Sequence, residues 1–208
     1  MKIVPAVLSD NLADYSKAFS LFEQMDGNEK VHIDVMDGEF VNSVSPDLES
    51  ILKIPTKLKK QVHLMAKNPI PYVELCIRYG VREVIVHFGT DYEKIYNFGQ
   101  YDLQIFMGIN PENKFTEFGD LTYKVSGFLI MTVHPGLQGQ PFLGAELEKV
   151  NYLRTKGFDG QILVDGSVNK TTITQIKQYP LDEAVVGSAI IKQPNPIEAY
   201  TELVKLIN

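Results

Sequence analysis

The sequence of 208 residues has little of what marks several large classes of protein. It contains no tryptophan and a single cysteine, Cys76, which excludes a disulfide framework and suits a reducing compartment. Acidic residues (26) outnumber lysine and arginine (20), and the net charge of -6 argues against nucleic acid or an anionic membrane as a partner. The opening residues MKIVPAVLSDN hold no apolar run long enough for a signal peptide or a membrane span. We therefore expect a cytoplasmic protein with neither nucleic-acid nor membrane partners.

The remaining composition is that of an ordinary globular protein. Apolar residues make up 44 % of the chain and charged residues 22 %. No linker or low-complexity tract divides the sequence, and its length suffices for one hydrophobic core. Residues 1–208 are therefore predicted to form a single domain.

Strand-like and helix-like segments alternate along the whole chain. Apolar, β-branched runs predict strands at residues 3–8, 30–36, 57–65, 83–88, 104–110, 127–133, 161–166 and 183–189. Helical spacing of apolar residues is found at residues 12–25, 45–53, 70–80, 91–99, 112–120, 142–157, 169–178 and 196–207. Such alternation requires parallel strands and predicts an α/β fold, a closed (β/α)₈ TIM barrel. The alternative is an open doubly wound sheet, which would normally carry a glycine-rich turn after the first strand, where this chain has LSDN.

The stretch HIDVMDGEF, residues 32–40, places polar side chains inside a predicted buried strand. Because strand residues alternate between two faces, His32, Asp34 and Met36 share one face, opposite Ile33 and Val35. A buried carboxylate without a partner is costly. The stretch therefore predicts a positive partner for Asp34.

All four histidines of the chain, and Asp165, are expected at the C-terminal ends of the predicted strands. His63 lies in VHLM and Asp165 ends LVDGS, and the C-terminal ends of the strands form the working face of such barrels. Imidazole and carboxylate groups together are typical ligands of zinc, iron, cobalt or manganese. We predict one divalent metal ion bound by His32, Asp34, His63 and Asp165. His87 is interpreted as a residue behind a ligand, as a substrate contact or as an ordinary buried histidine, and His134 as a solvated loop residue.

Small-residue turns follow the last three predicted strands, in HPGLQGQPF (134–142), VDGSVN (164–169) and VVGSAI (185–190). Glycine lets backbone N–H groups approach an anion, and this end of a barrel commonly binds phosphate. The predicted phosphate-binding residues are Gly136, Gly139, Gly166, Ser167, Gly187 and Ser188.

Together these motifs resemble those of the ribulose-phosphate 3-epimerase family. The matching segments are HIDVMDGEFV, QVHLM, MTVHPGLQGQPF, VDGS and VGSAI, in the family's order and across essentially the whole chain. The resemblance implies a homo-oligomeric isomerase that inverts C3 of a ketose phosphate. It also implies one metal ion, zinc by first expectation, with Asp34 and Asp165 as acid and base. It further implies that Met36, Met65 and Met131 cap the site. Ser9 is a further candidate for a site residue.

The sequence departs from the family pattern at several positions. Ala6 stands where serine is common, Gly89 replaces the glutamate of His-x-Glu, Gln138 replaces a glycine, and Ser167 replaces the second glycine of VDGG. At that last position, the sequence is similar to allulose-6-phosphate 3-epimerases, which also have a serine there.

Because of these departures, alternatives remain for the substrate and for the activity itself. The first expectation is conversion of D-ribulose 5-phosphate to D-xylulose 5-phosphate, in the pentose phosphate pathway. The alternatives are epimerisation of D-allulose 6-phosphate and a catalytically silent phosphate-binding barrel. A decarboxylase or aldolase is disfavoured, because no D-x-K-x-x-D run follows any predicted strand.

Overall fold

A computed structural model of the chain describes residues 1–90, 94–95, 98, 101–136 and 139–208. Within these ranges eight parallel strands form a closed barrel, in which each strand pairs with the next and the last pairs with the first. The strands are β1 (Lys2–Val7), β2 (Lys30–Met36), β3 (Lys59–Met65), β4 (Glu83–His87), β5 (Gln104–Ile109), β6 (Gly127–Met131), β7 (Gln161–Asp165) and β8 (Glu183–Val186). The predicted (β/α)₈ barrel is confirmed, and the alternative of an open sheet is wrong.

Helices connect the strands around the outside of the barrel. In the described ranges they are α1 (Leu12–Phe22), α2 (Leu48–Lys53), α3 (Ile70–Arg78), α4 (Phe115–Phe118), α5 (Glu148–Thr155), α6 (Ile173–Ile176), α7 (Ser188–Ile191) and α8 (Pro196–Ile207). Short 3₁₀ segments cover Gly119–Tyr123 and Gly144–Leu147. None of the helices described is both long and apolar enough to cross a bilayer.

Side-chain caps explain where the well-formed helices begin. The carboxamide oxygen of Asn11 accepts a hydrogen bond from the N–H of Ala13 at the start of α1. Asp47 caps α2, and Asn195 caps α8 directly before a proline at the first helical position. Such caps satisfy N–H groups that have no partner inside the helix.

Two predicted helices begin later or are shorter in the structure, and a third, predicted over 112–120, is divided between α4 and a 3₁₀ segment. The helix predicted over 142–157 begins only after the 3₁₀ segment, because the N–H of Leu143 bonds to the carbonyl of Thr132 and ties the preceding chain to β6. The helix predicted over 169–178 shortens to α6, since the Asn169 side chain accepts from the N–H groups of Thr171 and Thr172 and makes a turn there. The helix predicted over 91–99 lies mostly outside the described residues.

Alternate strand residues point into the barrel lumen or out toward the helices. The outward residues of β2, Ile33 and Val35, are fully buried in the core between sheet and helices. The inward side chains form a second, smaller apolar cluster that includes Ile85, Phe106 and Leu129. The inward positions of β2 and β3 are mostly polar instead.

Candidate functional site

Three of the four predicted metal ligands come from the adjacent strands β2 and β3. Asp34 and His63 are direct partners in the strand register, and Asp34 Oδ1 lies 2.8 Å from His63 Nδ1. His32 Nε2 lies 3.4 Å from the same oxygen. The expectation that all the histidines lie at the strand ends is wrong for His32, which is the third residue of β2 and is level with Ala6 and Gln61, one layer deeper.

Asp165, the fourth predicted ligand, is the last residue of β7. Its Oδ2 lies 3.8 Å from His63 Nδ1, so β7 closes the group from the other side of the lumen. Thr132 holds this strand end: its N–H donates to the Asp165 carbonyl at 2.7 Å, and its hydroxyl lies 2.6 Å from the Gly166 carbonyl. Sequence reasoning missed this role of Thr132, which directly follows β6.

The four side chains could hold one metal ion. One ligand atom from each of His32, Asp34, His63 and Asp165 can be chosen so that all lie within 4.8 Å of one another. Two imidazole nitrogens and two carboxylate oxygens suit a four-coordinate divalent ion. His32 Nε2 is moreover buried without an aligned hydrogen-bond partner among the described residues. A dication placed among these groups would satisfy that nitrogen.

The electrostatics of this upper cluster, as we call His32, Asp34, His63 and Asp165, are strongly unequal. Burial opposes ionisation of Asp34, yet the imidazoles of His32 and His63 outweigh burial and hold the pKa of Asp34 well below its usual value. Burial, followed by the negative charge of Asp34, raises the pKa of Asp165 to about 6. Burial disfavours charged His32, but the contact with Asp34 prevails and raises the pKa of His32 to about 9. The two carboxyl groups therefore differ in their readiness to carry a proton.

His87 lies behind His63, away from the cavity. Its Nε2 is 2.8 Å from His63 Nε2, and its ring packs on Phe40 with centroids 4.7 Å apart. A Cβ at Gly108 would lie 3.1 Å from the imidazole, so glycine makes room for the ring. Burial and the charge of His63 lower the pKa of His87 well below its usual value. Of the three interpretations, this geometry favours a neutral residue that supports a ligand.

A cavity opens above the upper cluster at the C-terminal ends of the strands. It is lined by the two aspartates, by Met65 and Met131, and by all six residues predicted to bind phosphate: Gly136, Gly139, Gly166, Ser167, Gly187 and Ser188. Gly166 has φ +119°, and a Cβ there would lie 2.7 Å from Val133. Only glycine fits this position without displacing the neighbouring chain.

Three other residues named from the sequence lie elsewhere. Met36 is buried at the end of β2 but is not among the residues that line the described cavity. The Ser9 hydroxyl donates to Asp14 Oδ2 at 2.8 Å and likewise does not line that cavity. His134 is exposed and its Nδ1 lies 2.5 Å from Glu112 Oε1, in agreement with a solvated loop residue.

The departures from the family pattern have local explanations where the structure describes them. Ala6 lines the cavity with a methyl group. Gly89 adopts φ +88°, a left-handed conformation that glycine accepts readily, in the turn after β4. Ser167 also has a positive φ, 51°, and its hydroxyl donates to the carbonyl of Gln140. Gln138 lies outside the described residues.

A second polar group, which sequence reasoning missed, fills the N-terminal end of the lumen. This lower cluster consists of Lys30, Gln61, Glu83 and Glu183. Lys30 Nζ lies 2.6 Å from Glu83 Oε2 and 2.6 Å from Glu183 Oε1. The signal was present in the period-two alternation, because Lys30 shares the face of His32 and Gln61 shares the face of His63.

Comparison with known proteins agrees with this geometry. A model of the ribulose-phosphate 3 epimerase family matches residues 2–191. The cytoplasmic isoform of ribulose-phosphate 3-epimerase from Oryza sativa subsp. japonica is 30% identical, over 99% of this chain and 94% of the relative. Ribulose-phosphate 3-epimerase from Bacillus subtilis (strain 168) is 28% identical over 98% of each chain. A solved 3-hexulose-6-phosphate synthase has a TM-score of 0.76 at 18% identity with complete coverage of both chains, and it shows the fold alone.

Proposed function

Because the chain belongs to the ribulose-phosphate 3 epimerase family, we propose that it is an isomerase that inverts C3 of a ketose phosphate. The first substrate is D-ribulose 5-phosphate, with D-xylulose 5-phosphate as the product, as the names of its relatives suggest. One observation supports this above the others. Two carboxylates, Asp34 and Asp165, enter one cavity from strands on different sides of the lumen, and that cavity is also lined by glycine-rich turns.

Inversion of a carbon next to a carbonyl needs one group to remove a proton and another to return one from the opposite face. Asp34 and Asp165 are assigned these roles, exchanged according to the direction of the reaction. Their environments favour such a division, because Asp34 stays ionised while the raised pKa of Asp165 lets it carry a proton more readily. Each positioned proton transfer contributes roughly 10² to 10⁴ in rate.

His32, Asp34, His63 and Asp165 would together hold one divalent ion. Zinc is the first choice, since it commonly takes four nitrogen and oxygen ligands, and iron, cobalt and manganese accept the same types. When bound, the ion supplies Lewis-acid stabilisation of the negative charge that develops when C3 is deprotonated. The chain itself orients the two carboxyl groups and limits the access of water to them.

The phosphate group of the substrate is assigned to the turns after β6, β7 and β8. Gly136 and Gly166 have φ angles of +99° and +119°, and a Cβ at either would lie 2.7 Å from a neighbouring valine. Successive backbone N–H groups in such turns form concave anion sites. The Ser167 hydroxyl is already bonded to Gln140, so at this turn we assign recognition to the backbone.

Met65 and Met131 supply the apolar part of the same cavity. Both are almost fully buried, at 2 % exposure, and Met131 pairs with Asp165 in the strand register. A polarizable thioether packs closely against a flat, electron-rich intermediate and excludes water from it. The methionines therefore protect the enediolate while the proton is exchanged.

The proposal is tested by following deuterium from D₂O into C3 of D-ribulose 5-phosphate by NMR, with zinc-loaded protein. We expect deuterium in both the remaining substrate and the xylulose product. The same assay on D-allulose 6-phosphate decides between the two sugars. Absence of exchange with both sugars would overturn the proposed activity and favour a catalytically silent barrel.

A further inference from the structure

Gln61 is fully buried in β3 and connects the two polar clusters of the lumen. Its Oε1 lies 2.6 Å from His32 Nδ1. Its Nε2 lies 2.7 Å from Glu83 Oε2 and 3.1 Å from Glu183 Oε2. Each polar atom of the carboxamide therefore has a buried partner.

The surroundings of Gln61 determine which way its carboxamide points. Ionised carboxylates only accept hydrogen bonds, so the two N–H groups of Nε2 match Glu83 and Glu183. The reversed orientation would place the carbonyl oxygen against two carboxylates. Lys30 Nζ lies 2.6 Å from an oxygen of each glutamate and holds both carboxylates in place. The lower cluster thus directs Gln61 Oε1 toward His32.

The direction of Gln61 in turn determines the hydrogen on His32. A carboxamide oxygen can only accept, so His32 Nδ1 must carry a hydrogen and donate it to Gln61. A ring that binds a metal ion must be neutral, so its free electron pair then lies on Nε2, the atom that faces Asp34 and has no aligned partner among the described residues. Metal-binding histidines commonly have their other nitrogen held in this way.

We infer that Gln61 is a positioning residue that holds His32 as the Nδ1–H tautomer, so that Nε2 is available to a divalent ion. The inference rests on the proposed metal centre, but not on the identity of the sugar. Glu83, Glu183 and Lys30 act one step further away, because they fix the orientation of Gln61. The N-terminal end of the barrel thereby contributes to a site at its C-terminal end.

Zinc titration of the metal-stripped full-length protein against a competing chelator tests this role. Gln61→Met keeps the length of the side chain and removes the acceptor, and we expect zinc affinity to fall about 10- to 100-fold. Gln161→Met is the matched control, because Gln161 is an exposed residue at the start of β7 on the same end of the barrel. Its zinc affinity is expected to equal that of the wild type. Equal affinity in Gln61→Met and wild type would overturn the role of Gln61.

The tautomer itself is read from the imidazole ¹⁵N shifts of His32 in the zinc-loaded wild-type protein, which requires no variant to fold. A protonated Nδ1 and a metal-bound Nε2 are expected, and zinc on Nδ1 would overturn the inference. Gln61→Glu retains an acceptor for His32 while crowding the glutamates, so it should keep the tautomer and most of the affinity despite lower stability. Wild-type protein that binds no zinc would instead overturn the metal centre of the proposed function.

Discussion

Two polar clusters share one barrel lumen, and they differ in how completely their charges are paired. In the lower cluster, Lys30 lies between two glutamates and the carboxamide of Gln61 completes the set. In the upper cluster, two aspartates face two imidazoles, the pKa of Asp165 is raised to about 6, and His32 Nε2 has no aligned partner among the described residues. The lower cluster satisfies its buried charges from within the chain. The upper cluster leaves a buried ring nitrogen without an aligned partner, and a metal ion could occupy the place beside it.

The difference follows from what each end of the barrel is required to do. Buried charges are tolerated when paired and hydrogen-bonded, and a site that leaves them incompletely paired is less stable alone. That state is maintained where a ligand supplies the missing interactions. The comparison therefore predicts opposite responses: changes in the upper cluster should mainly affect activity, and changes in the lower cluster should mainly affect stability.

The largest effect is expected for Asp165→Asn. The variant keeps the size of the side chain but cannot accept and return a proton, so kcat should fall by roughly 10² to 10⁴. Because burial and Asp34 disfavour the charge on Asp165 and raise its pKa to about 6, removing that charge should not lower the free energy of unfolding near pH 7. Steady-state turnover of D-ribulose 5-phosphate and urea unfolding measure the two quantities. Turnover equal to that of the wild type would refute the assignment of Asp165 as one of the two proton-transferring groups.

Lys30→Met tests the lower cluster. Removal of the ammonium group leaves Glu83 and Glu183 close together with Gln61 but without a counter-charge. Breaking a buried ion pair costs about 3–5 kcal/mol of unfolding free energy, an upper value here because Lys30 and Glu83 are 14% and 15% exposed. Urea unfolding monitored by circular dichroism measures the loss.

Lys53→Met is the matched control for Lys30→Met. Lys53 Nζ lies 3.0 Å from Glu49 Oε1, but 61 % of the Lys53 side chain is exposed, so no measurable change is expected. If the two variants lost equal stability, the lower cluster would not be a specially stabilising feature.

Removal of a metal ion from the upper cluster should lower the free energy of unfolding by a smaller amount than Lys30→Met. A ligand that binds only the folded state at 100 times its Kd adds about 2.7 kcal/mol to the free energy of unfolding. Zinc should therefore raise the Tm of the chelator-treated protein in a concentration-dependent way, and the activity should return with it. His32→Ala, which removes one ligand, should lose this rise. A Tm that does not respond to zinc or to its neighbours in the transition series would contradict the metal centre.

Most of the fold could be predicted because the apolar periodicity of the strands is strong. All eight predicted strands are present, since each is a short apolar run that is mostly buried on both faces, but the last, predicted over 183–189, ends at Val186 because α7 begins at Ser188. The helices were less predictable. The start of α5 is delayed by the bond from Leu143 to Thr132, a tertiary contact that no local pattern reports.

The site residues that lie on strands could be predicted, because strand alternation determines which way they point. The contacts of side chains in loops could not be predicted, because they depend on the path of the loop. Asp34, His63 and Asp165 meet because parallel strands align their C-terminal ends. The hydroxyl of Ser9 turns to Asp14 and that of Ser167 to Gln140, and these choices depend on the course of the chain beyond β1 and β7. Gln61 was missed because a lone glutamine in a strand gives no chemical signal until its neighbours are known.

The smallest effect is expected at His87, which bears on the comparison from behind the upper cluster. If a metal ion binds His63 Nδ1 between the two aspartates, the proton of the neutral ring belongs on Nε2, which can then donate to His87 Nε2 at 2.8 Å. His87→Phe keeps the packing on Phe40 but removes this acceptor, and zinc affinity should fall by about 10-fold. His87→Gln, which retains an acceptor, should recover part of the loss. An unchanged affinity in His87→Phe would make His87 a packing residue. Gln61, which accepts a hydrogen bond from the ligand His32, would then remain as the residue that supports a metal ligand.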